Sequence, residues 1–174
     1  FPERRLQEVP RRPLRTRVRR NLYTTCRLLH AQQIRTPVTE PFVSLEGISQ
    51  HVATVRLRRP PNNFFSFDMI SALANALEEL DRNDECRCVV LTAEGKNFCA
   101  GADFSGNASP YSTADLYHAA TRLFCTNKPF VAAVNGAAIG GGLGLALSAD
   151  FRVASPESKF SANFAQLGFH HGFG

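Results

Sequence analysis

Two short stretches hold the residues from which chemistry would be built: Phe98-Cys99-Ala100-Gly101-Ala102-Asp103 and the triplet Gly140-Gly141-Gly142. The triplet lies between a short apolar run, Phe130 to Val134, and the good helix formers Leu143, Leu145, Ala146 and Leu147. A strand that turns through glycines into a helix presents bare backbone N–H groups and the positive end of a helix dipole. Glycine also lets a ligand approach the backbone closely. The first stretch follows a second apolar run, Cys88-Val89-Val90-Leu91-Thr92, and one candidate helix separates the two. Neighbouring parallel strands would bring both turns to one end of a sheet, where ligands of α/β proteins bind. One N–H from each turn would then converge on a single oxygen, which is an oxyanion hole.

Other readings of the glycine stretch compete. Pro129 to Ala149 is uncharged for 21 residues, the length of a bilayer span. Its five glycines and Asn135 make it a poor one. It lacks the Gly-Lys-Ser/Thr ending of a P-loop and the Gly-x-Gly-x-x-Gly spacing of a dinucleotide loop. A glycine-rich helix that merely packs closely on a strand stays open.

The elements that must position these turns can be read from the rest of the chain. Phe42 to Arg58 reads as a hairpin, with strands Phe42–Leu45 and His51–Leu57 and Glu46-Gly47 as its turn. Ser66 caps a helix whose Met69, Ile70, Leu73, Leu77 and Leu80 recur at helical spacing. Thr113 to Phe124 reads as a second helix, with Leu116, Ala119, Ala120 and Leu123 on one face. Asp150 to Ala154 and Lys159 to Ala162 read as short strands. Hairpin, helix, strand, helix, strand, helix, strand is an α/β order with right-handed crossovers.

Charge divides the chain. Residues 1–40 hold ten Arg, no Lys and three Glu, a net of +7, whereas residues 41–174 carry a net of −2. The head is Arg- and Pro-rich with little hydrophobic periodicity and reads as disordered, either a transit-like segment or a non-native leader from a wrong gene start. A nucleic-acid-binding arm is the weakest reading, because no folded binding module accompanies it. Residues 41–174 form the folded domain. The five cysteines show no zinc-site spacing and read as reduced thiols. Expected localisation is cytoplasmic, or the mitochondrial matrix if the head is a transit segment.

Taken together, Phe98-Cys99-Ala100-Gly101-Ala102-Asp103 and Ala132-Ala133-Val134-Asn135-Gly136 through Gly140-Gly141-Gly142-Leu143-Gly144 resemble the crotonase (enoyl-CoA hydratase/isomerase) superfamily. The resemblance runs from about Phe42 to Gly174. It implies a ClpP/crotonase-like α/β spiral of ββα units and an acyl-CoA thioester substrate, with coenzyme A arriving as part of that substrate and no separate cofactor. It implies that the N–H groups of Ala102 and Gly141 hold the thioester oxygen. Ala100, Gly101, Asp103, Phe104 and Ser105, with Gly140, Gly142, Gly144 and Phe164, would border the substrate. Asn62, Asn63 and Phe64 match the loop that wraps the coenzyme arm. Family proteins continue into C-terminal helices that close the pocket and build a homotrimer or hexamer. Those helices are missing from this sequence, so exposed apolar surface is expected.

The departures from the family pattern bear on chemistry. Hydratases of the family carry a glutamate two residues after the third glycine, where this chain has Gly144. The position of their second glutamate falls at about Phe164, and a later aspartate position falls at Gly172. Hydration of an enoyl thioester needs a base for water and an acid for the α-carbon. His170 and His171 are the remaining acid/base candidates. The competing reading is that they are solvent-facing. Without the carboxylates, a catalytically inactive acyl-CoA-binding protein of the same fold is the alternative to an enzyme.

Overall fold

The computed structural model describes residues 42–103, 110–168 and 170–173. The expectations for residues 1–40, Phe104 and Ser105 fall outside the described residues.

The first strand, β1 (Val43–Ser49), pairs antiparallel with β2 (Val52–Leu57). The turn is not at Glu46-Gly47. It is the two-residue turn Gln50-His51, whose φ values of 50° and 65° suit a turn that follows the right-handed twist of the strands. Glu46-Gly47 instead forms a β-bulge, because the pairing steps from Leu45↔Val55 to Ile48↔Ala53. Neither Gln nor His is a usual residue for such a turn, so the sequence signal pointed to the glycine.

Helix α1 (Phe67–Arg82) starts where expected. Ser66 accepts from the Met69 N–H at 3.4 Å, and Asp68 lies in the first turn. Its Met69, Ile70, Leu73, Leu77 and Leu80 are buried in one core with Ala53, Val55, Leu57, Val89 and Leu91 of the sheet. Strand β3 (Cys88–Ala93) pairs parallel with β2. Helix α2 (Thr113–Arg122) opens on a capping box in which the Ser112 hydroxyl accepts from the Asp115 N–H and the Asp115 carboxylate accepts from the Ser112 N–H. It is tied to α1 by the Arg122 guanidinium, which donates to Glu78 at 2.8 Å and to Asn75 at 2.6 Å.

Strand β4 (Phe130–Val134) lies parallel to β3, and the main sheet runs β1-β2-β3-β4-β6, where β6 is Phe151–Ala154. A second, two-stranded parallel sheet pairs β5 (Ala137–Ile139) with β7 (Lys159–Ser161). The sequence reading had no strand at Ala137–Ile139. Helix α3 (Gly141–Ser148) follows β5, so β4-β5-α3 is one ββα unit of the expected spiral. Strand β6 is exposed along its length, with Phe151 and Val153 each 64% accessible. That is the exposed apolar surface expected from the sequence. Among the described residues no helix is long and apolar enough to cross a membrane, and no His/Cys/Asp/Glu group could hold a metal ion.

Candidate functional site

The two loops meet because of β5. The chain after β3 runs beside β5: the Cys99 N–H donates to the Ala137 carbonyl at 3.0 Å and the Ile139 N–H donates to the Cys99 carbonyl at 3.0 Å. Cys99 and Ala138 form a parallel bridge. Ala102 and Gly141 each stand three residues beyond that bridge on their own segment.

Their N–H directions follow from the peptide planes. In a trans peptide the C=O and the following N–H point in opposite directions. The Gly101 carbonyl is engaged by the Phe65 N–H at 2.8 Å, which turns the Ala102 N–H the other way. The Gly140 carbonyl accepts from the Gly144 N–H at 3.1 Å, in the manner of the first bond of a helix, which leaves the Gly141 N–H projecting from the helix start. Among the described residues neither N–H donates to a backbone acceptor. Gly101 has φ of 88° and Gly140 has φ of 53°, conformations that favour glycine and account for two glycines of the pattern.

Both residues line one cavity of about 280 Å³. Ala100, Gly101, Gly140, Phe164 and His170 line it too, as the sequence reading anticipated. So do Phe65, Thr113, Leu116, Tyr117, Ile139, Asn163, Leu167 and Phe173, which were not anticipated as site residues. Leu116 belonged to the expected apolar face of α2, but nothing in the sequence marked Tyr117 or Phe173. No carboxylate lines the cavity among the described residues; its titratable groups are Tyr117 and His170.

The remaining candidates among the described residues do not line this cavity. Gly142 is a packing residue: a Cβ there would stand 2.0 Å from the Cys99 carbonyl oxygen. At Gly144 a Cβ would stand 2.4 Å from the Phe173 ring, so Phe173 fills the space a side chain would take. The Phe173 ring also packs on Phe65 and Phe124, with centroids 5.2 and 5.5 Å away. At Gly172 the same test meets the Tyr117 hydroxyl at 2.6 Å. His171 is exposed. Its carbonyl accepts from His170 Nδ1 at 2.6 Å, which puts the proton on Nδ1 and leaves Nε2 as the basic nitrogen of His170.

The loop before α1 is built around Asn63, which is fully buried with φ of 47°. Its Oδ1 accepts from the Arg59 N–H at 2.8 Å, and its Nδ2 donates to the carbonyls of Glu94 (2.8 Å) and Asn97 (2.7 Å). Asn63 is therefore a loop-fixing amide with no free polar atom to offer a ligand. Asn62 accepts from Asn97 Nδ2 at 2.9 Å. Phe64 is half-buried beneath the Arg59 guanidinium, which also pairs with Asp103 at 3.4 Å. Asp103, expected to border the substrate, instead accepts from this loop arginine. Cys99 is fully buried, and burial pushes its thiol up to about 12, so it is no nucleophile. Asp150 accepts from the Phe130 N–H at 3.0 Å, a structural contact.

Comparison with known proteins agrees with this geometry. The enoyl-CoA hydratase/isomerase family model matches residues 47–174. A probable enoyl-CoA hydratase of Mycobacterium tuberculosis is 38% identical over 137 residues, covering 75% of this chain and 54% of that protein. The 1,2-epoxyphenylacetyl-CoA isomerase of Escherichia coli is 36% identical over 135 residues, covering 71% and 52%. The crystal structure of an enoyl-CoA hydratase subunit from Geobacillus kaustophilus superposes with a TM-score of 0.68 at 34% identity, over 75% of this chain and 52% of that one. This chain spans about half the length of the relatives it matches. The motifs, the ββα architecture and these matches together establish that the chain belongs to the enoyl-CoA hydratase/isomerase family, within the crotonase superfamily.

Proposed function

We propose that the cavity receives the acyl thioester of a coenzyme A conjugate, with the thioester oxygen between the N–H groups of Ala102 and Gly141. The observation that supports this reading is the Cys99↔Ala138 bridge, which joins the segments carrying Ala102 and Gly141, two residues that line one cavity and whose N–H groups have no backbone acceptor among the described residues. Two such donors favour an enolate, or another oxyanion, over the neutral thioester, and removing one typically costs about 2.7–4 kcal/mol of barrier. The apolar wall suits an acyl chain or ring, and coenzyme A enters as part of the substrate. No further cofactor is required. The names of the relatives, a probable enoyl-CoA hydratase and an epoxyphenylacetyl-CoA isomerase, support an acyl-CoA substrate.

The reaction that fits best is proton movement at the thioester α-carbon, with His170 Nε2 as the base. Hydration fits less well, because no carboxylate lines the cavity among the described residues. A second reading is binding without turnover. It is favoured by Phe173, whose ring stands in the space next to Gly144.

The test compares Gly141→Pro with Gly141→Ala. Both add a Cβ, but only proline removes the N–H, at a helix position that tolerates it. Short acyl-CoA binding is followed by calorimetry, and exchange of the α-proton into deuterated water by mass spectrometry. Binding by the parent and by Gly141→Ala is expected, with exchange lost about 100-fold or more in Gly141→Pro. A folded parent that binds no acyl-CoA, or equal exchange in the two variants, refutes the oxyanion reading. Binding with no exchange in the parent selects the second reading.

A further inference from the structure

We infer that Asn97 is a positioning residue, the side chain that sets the two oxyanion donors relative to one another; this rests on the acyl-CoA reading above. Asn97 sits where three segments meet: the loop 59–65, the segment leading to Ala102, and β5 leading to Gly141. Every one of its polar atoms is engaged across those joints. Its Oδ1 accepts from the Ala137 N–H, the first residue of β5, at 3.1 Å. Its Nδ2 donates to Asn62 Oδ1 at 2.9 Å. Its carbonyl accepts from Asn63 Nδ2 at 2.7 Å, and its N–H donates to the Pro61 carbonyl at 3.2 Å.

The two side-chain bonds lead toward the two donors. Asn62 passes the constraint on, because its carbonyl accepts from the Ala100 N–H at 2.9 Å, two residues before Ala102. Phe65, at the end of the same loop, holds the Gly101 carbonyl and so orients the Ala102 N–H. On the other side, Ala137 is four residues before Gly141, and its N–H has Asn97 Oδ1 as acceptor. The junction has no slack: a Cβ on Gly136 would lie 2.1 Å from the Lys96 carbonyl oxygen and 2.9 Å from Asn97 Oδ1. Among the described residues the side chain at 97 is thus the one side chain that bonds to both the loop framing Ala102 and the strand delivering Gly141. Aspartate would keep the acceptor for Ala137 while losing the donation to Asn62. Alanine would lose both.

The experiment uses the whole chain and the variants Asn97→Ala and Asn97→Asp, with two readouts. The first needs no ligand: amide chemical shifts of Ala102 and Gly141 by NMR, with Ile70 and Leu73 in α1 as remote controls. Shifts at both donors in Asn97→Ala, with the α1 amides unmoved, are expected; unmoved donors overturn the inference whether or not acyl-CoA binds. Should Asn97→Ala fail to fold, the same comparison is made on Asn97→Asp, where a change at Ala102 exceeding that at Gly141 is expected. Equal movement or none overturns the inference. The second readout is the carbonyl stretch of a carbon-13-labelled acetyl-CoA. In Asn97→Ala the red shift seen with the parent is expected to fall by at least half while the dissociation constant changes less than threefold. A full red shift in Asn97→Ala overturns the inference. Absence of binding to the parent counts against the acyl-CoA reading alone, since the amide shifts still decide the role of Asn97.

Discussion

Gly142 offers the sharpest test of how the site is held, because it makes no proposed contact with substrate. A Cβ built on it would lie 2.0 Å from the Cys99 carbonyl oxygen, 2.7 Å from the carbonyl carbon and 2.8 Å from the Cys99 Cβ. Real Cβ atoms essentially never come within 3.0 Å, so Gly142→Ala must push α3 and the Cys99 segment apart by about 1 Å. Both obstacles are backbone or sit on it, and neither can rotate away. Gly141 and Ala102 lie on opposite sides of that gap. Overpacking of this kind costs about 1–3 kcal/mol of stability, and about 1 Å of misplacement at a reacting centre costs on the order of 100-fold in rate. Gly141→Ala is the comparison: its Cβ would meet the buried Phe65 ring at 2.8 Å, a side chain that must shift, against the 2.0 Å approach to a backbone carbonyl oxygen at Gly142. Urea denaturation should therefore show Gly142→Ala less stable than Gly141→Ala. Acyl-CoA α-proton exchange should fall about 100-fold in the first and much less in the second. Equal stability and equal exchange in the two variants would refute the claim that contact between α3 and Cys99 sets the donor spacing.

Other outcomes follow from the same packing. Gly144→Ala should lose about 1–3 kcal/mol in urea denaturation. Adding Phe173→Ala should restore only part of it, because the Phe173 carbonyl oxygen lies 2.7 Å from the new Cβ as well as the ring. Asn63→Ala strands the Arg59 N–H and the carbonyls of Glu94 and Asn97, and unsatisfied buried groups cost about 1–3 kcal/mol each, so a loss of at least about 3 kcal/mol is expected by the same measurement. Cys99 should resist iodoacetamide at pH 8 in the native state and react on unfolding. Its folded pKa of about 12 lies above the ordinary thiol value of 9.0, so the unfolded chain releases the proton first and stability should fall as pH rises from 9 towards 12. Stability independent of pH across that window would contradict the burial of the thiol.

Much of this was legible in order along the chain, because it rests on local physics. Ser66 begins α1 by its own hydroxyl, and the i, i+3, i+4 spacing of Met69 to Leu80 dictates which face of the helix is buried. The apolar runs Cys88–Thr92 and Phe130–Val134 are strands for the same local reason. The paired motifs around Gly101 and Gly140 announced two turns with available N–H groups. What a linear reading could not supply was register. Ala137-Ala138-Ile139 is too short and too plain to declare itself a strand; it becomes one by pairing with Lys159–Ser161 and bridging Cys99. That pairing brings the segments that carry Ala102 and Gly141 side by side. The hairpin turn fell at Gln50-His51 because bulging at Glu46-Gly47 kept the alternation of β1 in step with β2. Asn97 looked like a turn residue until two distant segments, the loop 59–65 and β5, were found bonded to it. Sequence by itself thus determined which backbone groups were left without partners in each local element. Only the tertiary structure decided which of those groups face one another, because strand register and side-chain bridges depend on contacts between residues far apart in the chain.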